Sequence, residues 1–208
     1  MRTVQIETVR LTTSDGLSLT ADVAIPDHPI GAVAIAHPHP LRGGNRFHPV
    51  IDAVMSAVSR AGFAAIRFDF RGVGTSEGAH DEGTAERLDM AAALEAVAVY
   101  VPKAPLWAIG YSFGSLVALN TDRPDLAGWV AIAPPLERST ETPVAASDPR
   151  RKLIVAASND QFTKVKLIRD QASTWTNTSI EVVDDADHFF VGHSTAPAAR
   201  LVNFLTAK

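Results

Sequence analysis

Short apolar runs alternating with helix-like segments dominate the 208-residue chain from Gly31 onward. Gly31 to Ala36, Ala64 to Phe70, Pro105 to Ile109, Trp129 to Ala133, Lys152 to Ala157 and Ile180 to Val183 each read as a strand. Most are continuously apolar, as expected where both faces of a strand are covered. Between them, helical spacing is predicted over 50–61 (closed at Gly62), 82–100, 115–119, about 164–175 and 196–205. Ahead of them, residues 5–13 and 17–25 alternate around the turn Ser14-Asp15-Gly16, which predicts an antiparallel hairpin. The expected fold is α/β, a mostly parallel doubly wound sheet with an antiparallel N-terminal hairpin. With no repeat, low-complexity tract or linker to divide it, residues 1–208 read as a single domain.

In such a sheet, ligands bind beyond the carboxyl ends of the strands. There the chain places His37-Pro38-His39-Pro40-Leu41-Arg42-Gly43-Gly44, Arg71-Gly72-Val73-Gly74-Thr75-Ser76-Glu77-Gly78, Ser158-Asn159-Asp160 and Asp184-Asp185-Ala186-Asp187-His188. After the Pro105 run comes Gly110-Tyr111-Ser112-Phe113-Gly114. Strand, sharp turn and helix around G-x-S-x-G form a nucleophile elbow, with the glycines where a side chain would collide. Alone the pentapeptide is a weak signal, because short motifs recur by chance.

Composition narrows the classes. A net charge of −4 argues against nucleic acid or an anionic membrane as the partner. Absence of cysteine excludes disulfides, thiolate metal sites and a cysteine nucleophile, and fits a reducing compartment. The N-terminus has no apolar signal core and no run is long enough to span a membrane, so a cytoplasmic location is expected. The G-x-G within residues 71–78 lacks the third glycine and opening helix of a dinucleotide fingerprint. It reads as a turn beside the pocket, with Asp69 and Arg71 as a structural pair.

The elbow GYSFG, the loop HPHPLRGG, the stretch FDFRGVGTSEG and the terminal ADHFF together resemble a small lidless α/β-hydrolase, a serine esterase related to the dienelactone hydrolases. The likeness covers nearly the whole chain from Gly31. It implies ester or related acyl-transfer chemistry, a Ser–Asp–His triad in that chain order, and no cofactor. On that likeness Ser112 is the nucleophile, His188 the base and Asp160 the acid, with Glu137 as the rival acid. A serine hydroxyl is a poor nucleophile until an adjacent base, itself held by a carboxylate, removes its proton.

The oxyanion hole needs two backbone N–H groups, one from Phe113 and one from the loop after the first parallel strand. Pro38 and Pro40 have none to give, which leaves His39 and Leu41, with Leu41 preferred. Among the seven histidines, the H-x-H spacing of His37 and His39 could suggest a metal, but no further ligand follows and no metal is expected. Residues 134–151 are too few for a helical lid. An open site for small or soluble acyl substrates is expected, lined by Phe113, Leu41, Phe189, Phe190 and Phe162. The leading expectation is a carboxylesterase on a small-molecule substrate, with a homo-oligomer possible. The same site suits thioesterase, lactone hydrolase or aminopeptidase-like activity, and a non-catalytic binding protein is the alternative of another class.

Overall fold

The computed structural model describes residues 4–138 and 141–207. Its elements, in chain order, are β1 (Ile6–Thr12), β2 (Ser18–Ala24), β3 (Gly31–Ala36), α1 (Pro49–Arg60), β4 (Phe63–Phe68), α2 (Glu86–Ala98) and β5 (Leu106–Tyr111). They continue with α3 (Phe113–Leu119), β6 (Leu126–Ile132), β7 (Arg151–Ala157), α4 (Val165–Ala172), β8 (Thr178–Val183) and α5 (Ala196–Thr206). The strands form one 8-stranded sheet in the order β1-β2-β4-β3-β5-β6-β7-β8. β1 and β2 pair antiparallel, as do β2 and β4, and the remaining pairs are parallel. The doubly wound sheet with its antiparallel hairpin is as the sequence predicts.

Strand alternation sorts the core into two layers. Along β3, Ala32, Ala34 and Ala36 face one apolar cluster with Met90 and Leu94 of α2 and Val117 of α3. Val33 and Ile35 face the other, with Val54 and Val58 of α1 and Leu201 of α5. Every residue of β3 is buried, which explains its uninterrupted apolar composition.

Several boundaries differ from the sequence reading. β4 stops at Phe68, so Asp69 and Phe70 belong to the loop beyond its carboxyl end. α2 begins at Glu86 rather than 82, because Glu82 (φ 50°) and Gly83 (φ 97°) are left-handed and cannot join a right-handed helix. The expected Asp69–Arg71 pair does not form. Arg71 instead donates from Nε to Asp89 Oδ1 (2.9 Å) and from Nη1 to Asp15 Oδ2 (3.0 Å). Asp69 accepts the backbone N–H of Arg46 at 2.8 Å and pairs with its guanidinium. Neighbouring loop residues of opposite charge thus serve different partners, tying the hairpin turn to α2 and the β3–α1 loop to β4.

Between β6 and β7 the described residues contain only the 3₁₀ turns Leu136–Arg138 and Val144–Ser147, and no lid helix. No described helix is long and apolar enough to cross a membrane.

Candidate active site

β5 runs two residues further than predicted, to Tyr111, and α3 starts at Phe113, so Ser112 alone makes the turn between them. Its backbone sits at φ 51°, ψ −120°, a conformation that a non-glycine residue adopts only when its surroundings impose it. Those surroundings are tight. A Cβ on Gly110 would lie 2.0 Å from the Gly114 carbonyl oxygen, and one on Gly114 would lie 2.5 Å from that of Ala36. The glycines let α3 begin against the ends of both β5 and β3, which projects the Ser112 side chain off the sheet edge.

Two further loops at the same edge meet it. Ser112 Oγ lies 2.9 Å from His188 Nε2, and His188 Nδ1 lies 2.8 Å from Asp160 Oδ2. Asp160 follows β7 and His188 follows β8, so the three converge from the carboxyl ends of the parallel strands β5, β7 and β8. The other Asp160 oxygen accepts the N–H groups of Phe162 (2.7 Å) and Thr163 (2.9 Å). Burial alone would raise this carboxyl, but the hydrogen bond from His188 and those from Thr163 and Phe162 hold it below the ordinary range. An ionised Asp160 fixes the imidazole with its proton on Nδ1, leaving Nε2 to accept a proton from Ser112.

Glu137 stands exposed on its 3₁₀ turn, and Asp160, not Glu137, holds His188. Asp187, next to His188 in the chain, accepts the N–H of Val191 on Oδ1 at 3.1 Å.

The hydroxyl opens onto a cavity of about 680 Å³. Of the apolar residues expected to line it, Phe113, Phe162 and Phe189 do so. Phe190 is buried in the core against Tyr111, and Leu41 is 73% exposed on the turn Pro40–Arg42, outside the cavity wall. His39 lies on that wall. Gly44 closes the loop as expected: a Cβ there would fall 2.1 Å from the Pro38 carbonyl, while its N–H bonds the His39 carbonyl.

His37 is withdrawn from any ligand role. Its Nε2 accepts the N–H of Phe70 at 3.1 Å and its Nδ1 donates to the Pro38 carbonyl at 2.6 Å. Burial pushes its pKa down to about 3, keeping it neutral.

Three supporting residues carried no distinctive signal in the sequence. Gln161 Oε1 accepts the His188 N–H at 3.2 Å, and the Tyr111 hydroxyl donates to the His188 carbonyl at 2.8 Å. His48 caps α1 by accepting the Val50 N–H on Nδ1 at 3.3 Å and also lines the cavity. Burial lowers its pKa, and the charge of His188 lowers it further. Tyr111 was legible only as the variable position of G-x-S-x-G. The other two depend on contacts between elements far apart in the chain.

The family model for serine aminopeptidase, S33, matches residues 27–205. A protein of Rickettsia prowazekii, RP471, is 30% identical over 181 residues, covering 82% of this chain and 75% of that one. Among solved structures, an α/β serine hydrolase homologue from Coxiella burnetii superposes with a TM-score of 0.88 at 25% identity, over 99% of this chain and 100% of that one. A serine hydrolase without a lid from Xanthomonas campestris gives 0.83 at 25% identity, over 98% and 94%. The eight-stranded sheet, the elbow at Ser112 and a β6–β7 connection with no lid helix among its described residues agree with these similarities, and the chain belongs to the serine aminopeptidase S33 family of α/β-hydrolases.

Proposed function

We propose that the chain is a serine carboxylesterase that cleaves small, soluble acyl esters through an acyl-enzyme intermediate. The observation that carries this reading is the hydrogen-bonded series Ser112–His188–Asp160, opening onto a cavity with no helical lid among the described residues. In the first step Ser112 Oγ attacks the ester carbonyl while His188 Nε2 takes its proton. The imidazolium is stabilised by the ionised Asp160, then donates the proton to the departing alcohol. Water, deprotonated by His188, attacks the acyl-enzyme in the second half and regenerates the serine.

The tetrahedral oxyanion is held by backbone N–H groups. Phe113 supplies one, since it opens α3 and the first amides of a helix have no intrahelical acceptor. We assign the second to His39, whose place on the cavity wall favours it over Leu41. Thioesters and lactones pass through the same intermediate.

The family relationship favours a second reading, an aminopeptidase. Glu82 and Glu141 on the cavity wall offer negative charge for a substrate ammonium group. Assaying p-nitrophenyl esters from acetate to palmitate beside aminoacyl p-nitroanilides separates the two. An optimum at short acyl chains supports the esterase. Faster turnover of the anilides makes the peptidase reading correct, and a palmitate optimum contradicts the open site.

A further inference from the structure

The sequence offered His39 a metal-binding partner in His37, which the fold turns into the core; it places a different histidine beside His39. We propose that His39, His80 and Glu82 form a binding site for a divalent transition-metal ion of the zinc class at the rim of the Ser112 cavity. One ligand atom from each lies within 4.8 Å of the other two. In a tetrahedral zinc site, donor atoms sit roughly 3.3 Å apart, given metal–ligand bonds near 2.0–2.1 Å. His80 Nε2 already stands 3.7 Å from Glu82 Oε1, and the Glu82 side chain, 85% exposed, is free to adjust. The imidazole rings of His39 and His80 are centred 5.0 Å apart.

A second observation points the same way. The His80 side chain is only 6% exposed, and neither of its ring nitrogens has a hydrogen-bond partner among the described residues. A buried imidazole whose nitrogens make no hydrogen bond is unfavourable unless something else binds it, and a carboxylate and a second imidazole stand close by. Behind the ring, Nδ1 stands 2.6 Å from Oε1 of Glu86, a fully buried carboxylate. Glu86 is itself fixed, because its oxygens accept the N–H groups of Asp81 and Gly83 at 2.9 Å each. In metal sites a carboxylate on the far side of an imidazole orients the ring, and Glu86 stands near enough to take that part once the ring adjusts to an ion.

Two imidazoles and one carboxylate suit zinc, cobalt, nickel or copper and do not suit magnesium or calcium, which prefer oxygen-only sets. His39 and Glu82 line the cavity themselves, so the open coordination positions of the ion face the space that Ser112 shares. The site stands whether or not the protein is an esterase.

Isothermal titration of the chelator-stripped full chain with zinc chloride tests it, with cobalt absorption as a second readout. One zinc per chain is expected, weakened at least about tenfold in Glu82→Gln and in His80→Gln, by comparison with losses from replacing outer-shell partners alone. The visible cobalt bands should disappear in both variants. Magnesium should give no heat, and His188→Gln and His193→Gln should bind zinc as the unaltered chain does. Because Glu82 is exposed, its variant remains informative even if His80→Gln fails to fold. Absence of zinc binding, equal binding by Glu82→Gln, or loss of binding in His188→Gln or His193→Gln would overturn the proposal.

Discussion

Asp160 concentrates the electrostatics of the site on one side chain. Its two oxygens accept from His188 Nδ1 and from two backbone amides, so it is held both ionised and in place. Asp160→Asn keeps the shape but offers the imidazole the wrong hydrogen-bonding partner. Steady-state ester hydrolysis should show kcat lower by about 10³–10⁴-fold. Glu137→Gln, on the exposed 3₁₀ turn, should leave kcat within about twofold, as surface changes do. Reversal of that order would remove Asp160 from the mechanism.

His37 makes a separate demand at the same scale. Its pKa of about 3 lies below its ordinary 6.5, so the unfolded chain takes up a proton there that the folded chain refuses. Stability contributed by this group is therefore complete above pH 6.5 and declines as pH falls toward 3, by about 1.4 kcal/mol per pH unit. His48, also lowered, acts in the same direction. Asp160, lowered from 3.8, adds its own loss only at more acidic pH, as it is protonated through its folded pKa. Urea unfolding at pH 7 and pH 5 should differ by about 2 kcal/mol or more from these histidines. Equal stability at the two values would contradict the burial assigned to His37.

Among the elements, the contact between α3 and the ends of β3 and β5 determines where Ser112 points. Gly114→Ala puts a methyl group 2.5 Å from the Ala36 carbonyl, and backbone cannot yield there as a flexible side chain would. The substitution should lower the urea-unfolding free energy by about 1–3 kcal/mol and reduce turnover with it. The element level was also where the sequence was most readable. Runs such as Gly31 to Ala36 are apolar because both of their faces are buried, and the signal survives without knowledge of the partner strands. Helix starts were less readable. Glu82 and Ala85 favour a helix but Gly83 and Thr84 do not, and the buried Glu86 binds the amides of Asp81 and Gly83 and holds them in a turn. The partners of Arg71 were out of reach for the same reason: Asp15 and Asp89 are brought to it only by the pairing of distant strands.

At the scale of the whole molecule, the sheet order brings the loops after β3, β5, β7 and β8 to one edge. The order of polar residues along the chain indicated which loops to compare. It could not distinguish His39 from Leu41, since that depends on which face of a short turn meets the cavity. Nor could it reveal His48, which arrives from the start of α1. The short connection between β6 and β7 was legible from length alone and has no lid helix among its described residues, the basis for expecting small acyl groups.

All of this converges on the reactivity of a single hydroxyl. Treatment of the full chain with a fluorophosphonate, followed by intact-mass and peptide mass spectrometry, reads it out. The expected result is one adduct per chain, on the peptide carrying Ser112, absent in Ser112→Ala and strongly slowed in His188→Gln. An unlabelled chain, or an adduct that persists in Ser112→Ala, would contradict the assignment of Ser112 as the nucleophile.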